Sequence, residues 1–262
     1  MNLTQLAQTV EYHQRHGKEM QKLTLTYPNL TVEDAYRIQK KTIQRYEDQG
    51  DKMVGWKMGL TSVAKQKSVN VEEPIYGRLT DGMTLSNATL ATKDLIHPKV
   101  EPEFAFHINK ELKGKNITAA DVWDATAEIS LALEVIDSRY KNFSFTLTDV
   151  IADNASSTKY MLGSKRFKAT DTNWSAVQVS VSLNGTEVQT GFGQAVLGNP
   201  VNAIIELTRM LNQFDLSIQP GMIVLSGAIT EAVNVQAGDC LTASFSNLDT
   251  LSLHVHDEQT NF

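Results

Sequence analysis

Leu3, Leu6 and Val10 recur at helical spacing, and Ala35, Ile38, Thr42 and Tyr46 form a second stripe of the same period. The second stripe has legible ends: Thr31 is placed to cap it with Asp34 three residues on, and Gly50 stops it. Arg, Lys, Glu and Asp cover its other face, so this segment is expected to pack as surface helix on a main body. Beyond Lys52 the period shortens to two. Val177, Val179, Val181 and Leu183 alternate into Asn184-Gly185, the strongest hairpin signal in the chain. Asn199-Pro200 supplies a cap and an N1 proline for a helix whose inner face holds Ile204, Leu207 and Leu211. Residues 222–225 after Pro220-Gly221, and Leu251, Leu253 and Val255 after the turn at Ala237-Gly238-Asp239, read as strands. The pattern predicts an α+β fold, with a helical part over residues 1–52 and a mixed, mostly β unit over 53–262 that pack as one compact body.

Two of the predicted strands carry charge where a core would not want it. In His97-Pro98-Lys99-Val100-Glu101-Pro102-Glu103-Phe104-Ala105-Phe106, alternation puts Glu101 and Glu103 on one face and Val100, Phe104 and Phe106 on the other. Pro102 lacks a backbone donor, so it predicts an edge strand or a strand start. The apolar run 131–136 carries a single acid, Glu134, on the face away from Leu133 and Val135. Neighbouring carboxylates repel unless protonated or bridged by a cation. By spacing alone a Glu-x-Glu strand is more often a solvated face. Three carboxylates without a nearby Cys ligand suit a hard, oxygen-preferring ion, Mg²⁺ or Mn²⁺, with coordination positions left for water or substrate.

Composition narrows the alternatives. The 262 residues carry 24 Lys and Arg against 30 Asp and Glu, a net charge of −6, and no long basic block, which argues against nucleic-acid binding. Cys240 is the single cysteine, so a disulfide within the chain and a thiolate metal site are both excluded. Residues 1–10 are polar and lack a signal-peptide core, and no apolar run approaches the roughly 20 residues of a membrane helix. A cytoplasmic location is expected. Trp56, Trp123, Trp174 and Cys240 read as packing residues.

Gly55-Trp56-Lys57-Met58-Gly59-Leu60-Thr61-Ser62 resembles the G-x-K-x-G-x-T segment of the 2-oxopent-4-enoate hydratase and 4-oxalocrotonate decarboxylase family, within the fumarylacetoacetate hydrolase superfamily. The resemblance continues in order through Pro74-Ile75-Tyr76-Gly77, Asp81, Glu101-Pro102-Glu103 and Glu134-Val135-Ile136-Asp137-Ser138-Arg139. It then runs through Ala152-Asp153-Asn154-Ala155-Ser156-Ser157, Val196-Leu197-Gly198-Asn199-Pro200 and Leu225-Ser226-Gly227-Ala228. Each motif is weak alone; the ordered set is specific. The resemblance implies a rolled sheet with an N-terminal helical part and a Mg²⁺ or Mn²⁺ site on Glu101, Glu103 and Glu134. It implies catalytic roles for Lys57 and Asp81, with Asp81 as the acid that could hold Lys57 and burial as the means of lowering the lysine's pKa.

The activity implied is metal-dependent decarboxylation of 2-oxo-3-hexenedioate (4-oxalocrotonate) to 2-hydroxypenta-2,4-dienoate in meta-cleavage aromatic catabolism, or hydration of that dienoate. Lys159 in Asn154-Ala155-Ser156-Ser157-Thr158-Lys159-Tyr160, Pro74-Ile75-Tyr76-Gly77 and the segment 137–143 look decarboxylase-like, whereas Gly82-Met83 looks hydratase-like. Arg139 or Lys159 is expected to meet the substrate's distal carboxylate, with Asn154 and Ser156 also binding substrate. A C–C hydrolase acting on an acylpyruvate would need a base, for which His97 and His107 are candidates; a non-catalytic ligand-binding protein would not need the carboxylate trio. The resemblance also implies homo-oligomers and a possible complex with the partner hydratase or decarboxylase.

Overall fold

The computed structural model describes residues 1–62 and 73–257. The chain opens with helices α1 (Leu3–Arg15), α2 (Leu23–Thr26) and α3 (Val32–Glu47). Thr31 accepts from Asp34 N at the start of α3, and Ala35, Ile38, Thr42 and Tyr46 are all buried. The stripe read from the sequence is therefore more than a surface contact: Ala35 and Ile38 are wholly enclosed.

Twelve strands follow among the described residues, in two sheets. The larger contains β1 (Met53–Gly59), β2 (Ile75–Thr80), β4 (Lys99–Ile108), β5 (Thr126–Ile136), β6 (Ser157–Leu162), β9 (Ile223–Leu225) and β10 (Val233–Asn234). Its order is β2-β1-β9-β4-β5-β6, with β10 also on β4, and it curls into a half-barrel. All its pairings are antiparallel except β1 with β9. The smaller sheet runs β3 (Thr89–Ala91), β12 (Asp249–His256), β11 (Cys240–Phe245), β7 (Gln178–Leu183) and β8 (Thr186–Phe192). Asn184-Gly185 turns β7 into β8, as its sequence demands, with both residues at positive φ. Helices α4 (Ala119–Ala125), α5 (Leu147–Ala152) and α6 (Pro200–Asn212) fill the remainder, and Asn199 caps α6 by accepting from Val201 N. No helix among the described residues is long and apolar enough to cross a membrane.

Alternation along β4 and β5 sorts the sheet into two faces. Val100, Phe104 and Phe106 with Leu131, Leu133 and Val135 join one apolar cluster that also takes in Leu6, Val10 and Ile38 from the N-terminal helices. Each such side chain contributes roughly 1.5–3 kcal/mol by leaving water. The other face has its own cluster, in which Ala105, Ala132, Tyr160 and Leu225 meet Ile43 and Tyr46 of α3. That second layer is what covers the acidic positions.

Pro102 departs from the expectation of an edge. It lies within β4, an inner strand. Its carbonyl accepts from Ile229 N, so the missing N–H faces the segment between β9 and β10, where no ladder bond is required.

Candidate metal centre and its lysine

Glu101 and Glu134 stand directly opposite each other in the β4–β5 register, and Glu103 is two residues along on the same face. One carboxylate oxygen from each lies within 4.8 Å of the others. All three are buried, Glu103 and Glu134 completely.

Lys57 reaches the group from β1, where it is paired with Gly77 and Leu225. Its Nζ is 2.9 Å from Glu134 Oε2 and donates to the Ala155 carbonyl at 3.2 Å. Ser157 Oγ donates to Glu134 Oε1 at 2.9 Å, and Gly227 N donates to Glu103 Oε2 at 2.7 Å. Two buried oxygens remain without a hydrogen bond, Glu103 Oε1 and Glu134 Oε2. The lysine is near enough to the second for an ion pair but is not aligned for a hydrogen bond. Buried carboxylate oxygens left in this way are costly. Three carboxylates that converge with two such oxygens between them fit a hard divalent cation.

The same crowding shifts protons. Burial, then the charge of Glu134, holds the Glu103 carboxyl well above the usual range, with Lys57 opposing. Burial also raises Glu134, again against Lys57. For Lys57, burial works toward the neutral amine, but the charges of Glu134, Glu103 and Glu101 outweigh it and hold the ammonium above its ordinary pKa. The expectation that burial lowers this lysine's pKa is thus reversed, because three acids surround it.

Several other expected site residues are placed elsewhere. Asp81 is exposed in the turn Asp81–Met83, where Oδ1 accepts from Lys52 N at 2.8 Å and Gly82 N at 2.9 Å. It holds that turn together; the acids that face Lys57 are the three glutamates. Arg139 is wholly buried and its guanidinium is spent inside the protein. Nε donates to Asp153 Oδ1, and the two terminal nitrogens donate to the carbonyls of Asp153, Asp137 and Ser157 and to Thr158 Oγ1. Asn154 is tied to β2, accepting from Arg78 N and donating to Arg78 O, at 2.8 and 2.9 Å. Ser156 Oγ lies 3.5 Å from Asp153 Oδ2. Lys159 is half-buried on β6 and opposes Val135, one position along from the Glu134–Tyr160 pair. Its Nζ donates to Gly82 O at 2.8 Å. It lines an open cleft of about 920 Å³ with Asp51, Thr80 and Thr84, and none of the three glutamates borders that cleft. Both cations expected to meet the distal carboxylate thus have protein acceptors of their own.

The two histidines are also remote from the carboxylates. His97 Nε2 is 2.6 Å from Ser138 O, and His107 pairs with Ser130 Oγ at 2.9 Å. His107 is four residues from Glu103, about 13 Å along the strand, and burial pulls it down to about 4.

Three contributors stand inside the family-like segments but were given no site role from the sequence: Ser157, the Gly227 N–H and the glycine at 77. A Cβ on Gly77 would come within 2.7 Å of Asn154 O and 3.0 Å of Lys57 Cδ, so its bareness makes room for the lysine stem. Gly227 sits at φ +101°, and a Cβ there would collide with Thr61 Oγ1. Gly227→Ala is therefore expected to draw the N–H off Glu103 and weaken Mg²⁺ binding about 10-fold or more. Calorimetric titration of metal-free protein checks this, and an unchanged affinity would refute it.

Fold and site together define a class: a half-barrel β body that buries a trio of carboxylates with a lysine against them. The chain belongs to the fumarylacetoacetate hydrolase family, whose C-terminal domain matches residues 49–256. It is 39% identical over 248 residues to a 4-oxalocrotonate decarboxylase of Pseudomonas putida, covering 94% of each chain. It is 34% identical over 256 residues to a 2-keto-4-pentenoate hydratase of Paraburkholderia xenovorans, covering 97% of this chain and 95% of that one. The solved structure of 4-oxalocrotonate decarboxylase from Pseudomonas putida G7, complexed with magnesium and adipate, superposes with a TM-score of 0.94 at 35% identity, covering 97% of each chain.

Proposed function

We propose that this chain is a lyase, a metal-dependent 4-oxalocrotonate decarboxylase that converts 2-oxo-3-hexenedioate to 2-hydroxypenta-2,4-dienoate and CO₂ in the cytoplasm. The observation that carries the reading is the buried glutamate trio with Lys57 against it, in a chain similar over nearly its full length to 4-oxalocrotonate decarboxylases. Glu101, Glu103 and Glu134 would hold Mg²⁺ or Mn²⁺. When bound, the cation supplies Lewis-acid stabilisation of the negative charge that develops on the substrate's 2-oxo oxygen.

The chain's own residues account for the rest. Loss of CO₂ breaks the bond between the distal carboxylate and its methylene. The electron pair passes along the conjugated chain to the 2-oxo oxygen, and one proton is taken up. Lys57, held as an ammonium by three acids, carries a proton at Nζ and is the group placed to deliver it. Ser157 and Gly227 orient Glu134 and Glu103 from behind. The apolar layer of Ala105, Ala132 and Leu225 keeps that face of the sheet dry, which strengthens each of these interactions. Homo-oligomers, and association with a partner hydratase, belong to the same reading.

The similarity to a hydratase sets the alternative. Purified protein with Mg²⁺ and 2-oxo-3-hexenedioate is expected to release CO₂ while the dienoate accumulates, and to leave added 2-hydroxypenta-2,4-dienoate untouched. Consumption of the dienoate without CO₂ release from the diacid would establish the hydratase instead.

A further inference from the structure

Asn154, Ala155 and Ser156 pass through three consecutive left-handed conformations, at φ +53°, +53° and +58°. None is glycine, and residues with a Cβ resist this region, so a run of three persists only where its surroundings hold it.

What holds it is visible on both sides. Before the turn, Asp153 is gripped by Arg139 through its carboxylate and its carbonyl, while Arg139 N also donates to Asp153 Oδ2 at 3.2 Å. After the turn, the same guanidinium donates to Thr158 Oγ1 at 3.0 Å, so one buried side chain spans the turn. From the flank, the Asn154 amide makes two bonds with the main chain of Arg78, standing in for a neighbouring strand on β2.

What the turn delivers points into the site. Ala155 O receives the Lys57 ammonium, Ser157 Oγ donates to Glu134, and Asn154 O packs over Gly77 beside the lysine stem. A lysine on a flexible four-carbon stem needs such anchors to keep one position.

We propose that the turn 154–156 is a positioning device for Lys57 and Glu134, and that Arg139 and Asn154 are positioning residues that act through it without touching substrate. The inference rests on the reading of the glutamates and Lys57 as the reacting centre. It departs from the expectation that Arg139 and Asn154 bind the substrate, since the polar groups of both side chains are committed to the turn and to β2.

Two variants test it. Asn154→Gly accepts the left-handed backbone without strain and removes only the clamp to β2. Ser157→Ala removes the hydroxyl on Glu134. Asn154→Gly is expected to lower kcat about tenfold or more with KM nearly unchanged, and both variants to weaken Mn²⁺ binding to the metal-free protein about tenfold. A folded Asn154→Gly protein with wild-type kcat and Mn²⁺ affinity overturns the proposal, as does one in which KM rises while kcat holds, the mark of a substrate contact. Should Asn154→Gly not fold, Ser157→Ala decides through its Mn²⁺ affinity, and an unchanged affinity overturns the proposal. The Mn²⁺ titration does not depend on the reaction. A wild type that binds Mn²⁺ but releases no CO₂ refutes the decarboxylase reading and leaves the turn to be judged on the variants' affinities, whereas a wild type that binds no Mn²⁺ overturns both.

Discussion

Lys57→Met is expected to lower kcat for CO₂ release by roughly 10²–10⁴-fold, the range typical of a lost proton-transfer group, while the chain still folds in the presence of Mg²⁺. Methionine keeps the unbranched stem over Gly77 and removes only the ammonium. Two consequences separate at once. In metal-free protein the variant leaves Glu134 buried without its cation, a change that costs about 3–5 kcal/mol in comparable buried pairs, so its Tm falls. Saturating Mg²⁺ supplies the missing charge and recovers much of that loss, but it cannot supply the proton. Thermal melts with and without Mg²⁺, beside steady-state CO₂ release, check both parts. A Lys57→Met protein that turns over at the wild-type rate would remove the lysine from the mechanism.

The second large effect is on pH dependence. Burial and the charge of neighbouring glutamates (Glu134 for Glu103, Glu101 for both) hold the Glu103 and Glu134 carboxyls above their ordinary range in the metal-free fold, so the folded state binds more protons than the unfolded chain. Their contribution to stability is fully present below the unfolded glutamate pKa of about 4.3 and is lost as pH rises through the raised folded values. Metal-free protein should therefore lose stability as pH rises above about 4.3 relative to Glu103→Gln, in which one titrating acid is replaced by a neutral isostere. Mg²⁺ takes the place of the protons, so its binding releases protons and tightens as pH rises. With saturating Mg²⁺ the wild type should show no such decline, and Glu103→Gln should bind the metal far more weakly. Melts across this window, with calorimetry in two buffers of different ionisation enthalpy, test the linkage. Parallel wild-type and Glu103→Gln curves for the metal-free proteins would contradict it.

These effects bear on residues that differed in how readily they could be read. The helices over 3–15 and 32–47, the hairpin at Asn184-Gly185 and the capped helix from Pro200 were legible because each rests on local spacing and local capping. Pro102 misled, because whether a strand lies at an edge depends on which segments pair with it, and those lie more than 100 residues away in β9 and β10. Lys57 carried only its residue type and a family-like segment; its burial and its raised pKa come from acids on two other strands. Arg139 and Lys159 show the same limit. Each is a cation in a motif, yet one is exhausted by Asp153 and three other acceptor groups and the other leans on a carbonyl beside a separate cleft.

The chain's own pattern determined that Glu101 and Glu103 share a face opposite Val100, Phe104 and Phe106, and that Glu134 sits alone in an apolar strand, because the period of a strand is two whatever its partners are. Only the tertiary structure decided that β4 and β5 are neighbours in the register that sets Glu101 across from Glu134, and that β1 brings Lys57 to them. It alone decided that a backbone N–H at Gly227 and a carbonyl at Ala155 complete the surroundings. Every non-proline residue carries the same two backbone groups, so no sequence marks which of them will face a carboxylate or a lysine; that follows from chain direction and long-range packing.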